Sequence, residues 1–245
     1  MNTISKVKGA INALRCEVAS KMHQHGAVST LKLGTAKLSR MFRAIGTKGQ
    51  KLHPFDLKYG TDTSGIVGVG ALDIPPERMK HAVRYQTALI DVYEAILKEL
   101  AIPYDQFVFV DLGSGKGRAL LLASKHPFKM VIGIELSPAL HRIACRNIEI
   151  YRDDRQKCRE IISICGDATN YQIPDDNVVI YLFNPFDEEV MQLVMENIEN
   201  SLARSRKRIL IAYLKPVHRY VFDRSPILQV IRQTESLVLY EHEPV

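Results

Sequence analysis

The richest chemistry in the chain lies in nine consecutive residues, Val110-Asp111-Leu112-Gly113-Ser114-Gly115-Lys116-Gly117-Arg118. They join an apolar run that reads as a strand to one that reads as a helix. Glycines at such a junction let the backbone turn tightly and let a ligand approach the main chain. The carboxyl end of a strand is also where open α/β sheets bind ligands. Phosphate is a poor fit here. No GxxxxGK[S/T] string exists, so a P-loop cradle is not predicted. A dinucleotide turn wants GxGxxG, and Arg118 stands where the third glycine belongs. An acid beside the turn, Asp111, suits a ligand with an ammonium group better than one with phosphates. Glu135 follows 24 residues later at the end of a second strand-like run. It is an acceptor-only group with two oxygens, suited to a pair of hydroxyls; alternatively it favours the helix start at Ser137-Pro138. Asp167, in Gly166-Asp167-Ala168-Thr169, ends a third run and reads either as a ligand acceptor or as an Asx turn. Asn184-Pro185-Phe186 ends a fourth. Asn184 there either orients a reacting group or caps the strand before the next helix.

The elements that position these residues follow from pattern. Residues 107–111, 130–135, 160–165, 177–183 and 208–214 are apolar runs suited to strands buried on both faces. Helical segments over 117–125, 138–152 and 187–202 alternate with them, which predicts a parallel sheet. Runs at 227–233 and 236–241, separated by little, predict a terminal antiparallel hairpin. Seven strands result. Pro75 and Pro76 open a helical pattern running to about Leu100, with Val83, Leu89, Val92, Ile96 and Leu100 on its apolar face. Residues 54–75 read as an irregular, ordered loop anchored by Phe55, Leu57, Tyr59, Ile66 and Val67. Residues 4–22 have helical apolar spacing. The predicted division is a basic, partly helical extension over 1–53 and an α/β domain over 54–245, a Rossmann-like sheet with helices on both faces.

DLGSGKGR (111–118) resembles motif I of the class I S-adenosylmethionine-dependent methyltransferases. S-adenosylmethionine carries an ammonium, a sulfonium and no phosphate, which agrees with the residues above. The resemblance covers about residues 76–242. It implies that Gly113, Ser114, Gly115 and Gly117 cradle the methionine portion and that Asp111 holds its amino group. It further implies that Glu135 takes the ribose hydroxyls, Asp167 the exocyclic amine of adenine, and the Ala168 N–H the ring. Amino-group methyltransferases of the family carry [N/D]-P-P-[F/Y/W] after the fourth strand. Here Asn184-Pro185-Phe186 is one proline short, so the acceptor pocket departs from that pattern. The implied role of Asn184 and the Pro185 carbonyl is to orient an acceptor nitrogen, with the Phe186 ring packed against it. The chemistry needs mainly proximity and alignment, since the sulfonium already activates the methyl. In the family a segment ahead of the core folds over the site, which nominates Tyr59, Asp62, Thr63 and Tyr85; ordinary surface-loop structure is the competing reading. Metal-dependent O-methyltransferases place acids after the fifth strand, where this chain has Tyr213-Leu214-Lys215-Pro216, so no metal is expected. No Ser/His/Asp arrangement is evident from order alone.

Composition sets the remaining limits. The chain has 245 residues, 46% hydrophobic and 24% charged, enough for a sizeable core and unlike a disordered chain. No apolar run has the length of a membrane span, and the start shows no secretory signal. The four cysteines form no CxxC pair and read as reduced thiols of a cytoplasmic protein, three of them packing groups. Residues 1–58 hold 11 Lys/Arg against 2 Asp/Glu, so the net +6 belongs to the N-terminal arm. Such an arm is a solvated extension, a contact for nucleic acid, an acidic membrane or an acidic protein, or a presequence. The expected activity is methylation of a nitrogen in a protein side chain or small amine. Two alternatives stand: a catalytically silent cofactor-binding module, and a nucleic-acid methyltransferase that uses the arm.

Overall fold

The computed structural model describes residues 53–87 and 89–244. Cys16, the helix expected over 4–22 and nearly all of the basic extension lie outside the described residues. Seven strands form one sheet: β1 Phe107–Leu112, β2 Met130–Glu135, β3 Ile161–Cys165, β4 Asn177–Phe183, β5 Ile209–Leu214, β6 Gln229–Gln233 and β7 Leu237–His242. Their order is β3-β2-β1-β4-β5-β7-β6. The first five pair in parallel, and β7 joins β5 and β6 antiparallel. The helices are α1 Pro54–Tyr59, α2 Pro76–Met79, α3 Ile90–Glu99, α4 Arg118–Ala123, α5 Pro138–Ile150, α6 Glu188–Arg204 and α7 Tyr220–Asp223.

Strands β1, β2 and β5 are buried along their whole length, as continuous apolar runs require. Alternate residues face opposite ways. Phe107, Phe109, Val131, Val179, Tyr181, Leu210 and Ala212 share one core with Tyr93, Ile96 and Leu97 of α3 and Leu120, Leu121 and Leu122 of α4. On the other face Tyr213 and Tyr240 pack on Phe222 of α7. Helices therefore cover both faces. β3 departs from expectation. It ends the sheet with one neighbour and is only half-buried.

The chain steps outward from β1 to β2 and β3, then crosses back to β4 beside β1. Neighbouring connections diverge at that point, which leaves a crevice above the carboxyl ends of β1 and β4. Gly133 lets the glycine turn settle there. A Cβ on it would stand 2.6 Å from both Leu120 Cδ1 and Ser114 Oγ.

Three expectations are corrected. The helix expected from Pro76 to Leu100 is two helices, because the backbone between them pairs elsewhere: Ala82 bridges to Phe186 and Tyr85 to Val67. Val83 and Leu89, expected on its apolar face, are exposed. The loop expected from residue 54 begins as helix α1, with His53 accepting from the Phe55 N–H, Pro54 in the first turn and Gly60 left-handed at the end. Of its expected anchors Phe55 and Val67 are buried, whereas Leu57 and Ile66 are exposed. Of the cysteines Cys158 is buried, while Cys145 and Cys165 are exposed and do not pack a core. Among the described residues no helix is long and apolar enough to cross a membrane.

Lys207, just before β5, is buried and donates from Nζ to the Pro174 carbonyl at 2.6 Å. Burial pushes its pKa down to about 8, against the pull of Asp175. A folded pKa below the ordinary value means that the charged form is penalised in the fold. That penalty is complete below about pH 8 and fades as pH rises towards the ordinary lysine value of 10.5. Urea midpoints at pH 7.5 and 9.5 should therefore fall less with pH, or rise more, in the native protein than in Lys207→Met. Parallel pH responses would contradict this.

Candidate active site

Two hollows open along the upper rim of the sheet. The larger, a cleft of about 860 Å³ open to solvent, is lined by Gly113, Glu135, Asp167, Ala168, Asn184, Pro185 and Phe186 among others. The smaller, about 400 Å³ and likewise open to solvent, is a chamber lined by Asp111, Ser114, Tyr93, Tyr181 and Arg118. Tyr85, Gln86, Gly113 and Phe183 line both.

The strand register builds the chamber. Asp111 stands beside Tyr181 across the β1–β4 pair, and the ring of Tyr93 from α3 meets that of Tyr181 edge-on at 5.1 Å. Asp111 is 3% exposed, and its carboxylate accepts no hydrogen bond among the described residues. Burial pushes its pKa far above the carboxylate range, and the charge of Glu135 adds to this. Around it the hydroxyls of Tyr93, Tyr181 and Ser114 are buried without a partner among the described residues. Buried polar atoms are seldom left so, because each costs about 1–3 kcal/mol. A buried carboxylate ringed by orphan hydroxyls is the chemistry of a site for a compact cation.

In the cleft, Glu135 is braced by the main chain. Its Oε2 accepts from the Gly115 N–H at 2.7 Å and its Oε1 from the Ser137 N–H at 2.8 Å. The Leu136 N–H also bears on the carboxylate, whose roughly four lone-pair sites still leave room for a ligand. Burial raises its pKa, partly offset by those backbone bonds. Asp167 makes the Asx turn weighed from sequence. Its Oδ1 accepts from the Thr169 N–H at 2.9 Å, while Oδ2 pairs with Arg78 at 2.7 Å at the cleft wall. Asn184 has φ +39° and a buried Oδ1 without a partner among the described residues. Left-handed backbone costs a non-glycine residue about 1–2 kcal/mol and gathers at functional sites. Pro185 and Phe186 lie against Gly113.

Gly115 and Gly117 line neither hollow; Gly115 acts through its N–H on Glu135. Tyr85 packs its ring on Gly115 and donates its hydroxyl to the Thr63 carbonyl at 2.7 Å. Tyr59, Asp62 and Thr63 line neither hollow. Tyr59 packs between Phe55 and Tyr151 and bonds Asp153. Asp62 pairs with Lys116 at 2.7 Å. Thr63 joins a buried cluster that sequence reasoning missed. There Asp56 accepts from Thr61, Thr63 and Ser64, and Arg118 donates to Thr63 Oγ1 at 2.7 Å and lies 3.4 Å from Asp56. Burial pushes Asp56 upward, but those hydroxyl bonds outweigh it and hold it below the usual range. The signal was legible in principle: an acid between Phe55 and Leu57, followed by Thr61, Thr63 and Ser64. Arg118→Met should destabilise the protein by about 3–5 kcal/mol, since it leaves Asp56 as a buried charge without its counter-ion. Urea unfolding checks this, and a loss under 1 kcal/mol would contradict it. Also missed were Tyr93, Tyr181, Arg78 and His81, the last a buried imidazole whose Nδ1 lies 2.6 Å from Asp187 Oδ2.

The sheet order, the glycine turn after β1 and the crevice above it make this a Rossmann-like, methyltransferase-like α/β fold. Among solved structures the chain is similar to an RNA methyltransferase from Salinibacter ruber in complex with S-adenosylhomocysteine, at 21% identity over 64% of this chain and 92% of that one, TM-score 0.42. It is similar to a glycopeptide N-methyltransferase, at 13% identity over 64% and 90%, TM-score 0.47. A third is magnesium protoporphyrin IX methyltransferase from Synechocystis with bound S-adenosylmethionine, at 12% over 63% and 77%, TM-score 0.43. No family model and no curated protein sequence matches the chain.

Proposed function

We propose that residues 54–245 form an S-adenosylmethionine-dependent methyltransferase domain whose acceptor is a nitrogen of a protein side chain or a small amine. One observation carries the reading. Asp111 and three unpartnered hydroxyls line a hollow that shares Tyr85, Gly113 and Phe183 with the cleft of Glu135, Asp167 and Asn184. A molecule with an ammonium at one end and a nucleoside at the other spans both. In this reading Asp111 neutralises the ammonium, Glu135 accepts from the ribose hydroxyls and Asp167 stands at the adenine end. The bound cofactor would supply a methyl group activated by its sulfonium. The protein supplies alignment, worth several kcal/mol of barrier. Asn184 lines the same cleft and its buried Oδ1 has no partner among the described residues; in this reading it takes an N–H of the incoming amine and turns its lone pair towards the methyl.

The test is transfer of tritium from methyl-labelled S-adenosylmethionine into protein, RNA and metabolite fractions by the full-length chain. Label is expected in protein or small amines. Label confined to RNA would favour the nucleic-acid alternative, and no label with cofactor bound would favour the silent module. Asn184→Ala should lower the labelling rate about 100-fold, as loss of one preorganised hydrogen-bonding group does. Affinity for S-adenosylhomocysteine, read by calorimetry, should stay within about twofold on this account, because Asn184 acts on the acceptor.

A further inference from the structure

We propose that His81 is the proton acceptor of this reaction and that its substrate is an alkylammonium group. The inference rests on the methyltransferase reading and adds the acceptor class and a catalytic residue to it. His81 is 9% exposed and lines the cleft together with Asn184, Phe183 and Phe186. Its Nδ1 lies 2.6 Å from Asp187 Oδ2. A carboxylate there holds the ring hydrogen on Nδ1 and leaves the Nε2 lone pair as the basic site. Nε2 has no hydrogen-bond partner among the described residues. The placement is fixed by backbone. Ala82 bridges to Phe186, and the Asp187 N–H donates to the His81 carbonyl at 3.3 Å. One short antiparallel pairing therefore sets both the imidazole and the Asn184 strand end, whose unpartnered Oδ1 is the second acceptor.

The charged groups closest to the ring are acidic, while Arg84 also lines the cleft. Asp187 and Glu189 face the ring from the start of α6, Glu189 at 3.8 Å. Arg78, on its own segment, is bound to Asp167, and His218 acts on Asp187 from the loop after β5. The rings of Phe183 and Phe186 offer an alkyl chain a surface and an ammonium a π face. Such a substrate cannot attack until it loses a proton. The N–H bond breaks with the proton passing to Nε2. The pair left on nitrogen forms the new N–C bond as the methyl–sulfur pair returns to sulfur. Asp187 stabilises the imidazolium until solvent takes its proton. A positioned base contributes about 100-fold or more to such a step.

The test uses the full-length protein with saturating S-adenosylhomocysteine and n-butyltrimethylammonium as probe. Diethyl pyrocarbonate followed by peptide mass spectrometry should modify native His81, and n-butyltrimethylammonium, which has no N–H for the reagent to acylate, should protect it. Modification only after denaturation, or no protection, overturns the proposal. With labelled S-adenosylmethionine, His81→Gln should lower kcat for n-butylamine about 100-fold at pH 7.5 with KM unchanged. The deficit should shrink at pH 9.5, where solution supplies more free amine. An equal deficit at both pH values marks a histidine that only braces the fold and overturns the assignment. So does absence of transfer to n-butylamine by native protein that binds S-adenosylhomocysteine. Failure of the native protein to bind S-adenosylhomocysteine would instead overturn the methyltransferase reading itself.

Discussion

Asp111→Asn is expected to make the ligand-free protein more stable and to weaken S-adenosylhomocysteine binding about 100-fold. Both effects come from one fact. The carboxylate is 3% exposed and accepts no hydrogen bond among the described residues, and Glu135 adds a like charge. Its folded pKa lies above the ordinary aspartate value of 3.8 that holds in the unfolded chain, so ionisation is penalised in the fold at every pH above that value. The amide has nearly the same shape, carries no charge and offers hydrogens to the orphan hydroxyls. A gain of about 1–2 kcal/mol at pH 7 is expected, or roughly 2–8 °C in melting temperature. The gain should vanish near pH 3.5, where the native carboxyl is neutral in both states. Binding moves the other way, because the ammonium loses a buried counter-charge worth about 3 kcal/mol, two decades in affinity. Scanning fluorimetry and calorimetry check the pair. A destabilised variant with intact affinity would make Asp111 an ordinary packing residue.

Gly115→Arg is expected to abolish measurable S-adenosylhomocysteine binding. Gly115 has φ +55°, and a Cβ there would lie 2.2 Å from Tyr85 Cε2. Tyr85 has little room to give. Its hydroxyl is bonded to Thr63, and its backbone pairs with Val67 in both directions. The turn must therefore shift, and with it the Gly115 N–H that holds Glu135 at 2.7 Å. The milder Gly115→Ala separates the causes. Alone it should weaken binding at least tenfold, and Tyr85→Ala in the same chain should recover part of that by removing the clash. The remainder reflects the left-handed backbone, about 1–2 kcal/mol. Additive losses in the double variant would rule out the clash as the cause.

The parallel strands were legible in the sequence because a strand buried on both faces must be apolar throughout. β4 was expected over 177–183 and runs Asn177–Phe183. The glycine turn and the acids Asp111, Glu135 and Asp167 were legible because residue type and strand end coincide. The segment from Pro76 to Leu100 was not. Helical periodicity cannot see that Ala82 and Tyr85 are bonded to backbone from Phe186 and Val67. The chamber and the imidazole were hidden for the same reason. Nothing local marks Tyr93 or Tyr181 as site residues; the sheet register does, by placing Tyr181 beside Asp111. His81 and Asp187 are separated by 106 positions, so only the folded chain brings them together. Helix α1 was a missed opportunity, since Pro54 at its start and Gly60 at its end are local signals.

The most direct test of the central claim is a crystal structure of the full chain with S-adenosylhomocysteine. The ribose hydroxyls are predicted on Glu135, the adenine beside Asp167 and the amino group against Asp111 in the chamber. An undisturbed chamber with the nucleoside absent, or seated away from Glu135, would contradict the account.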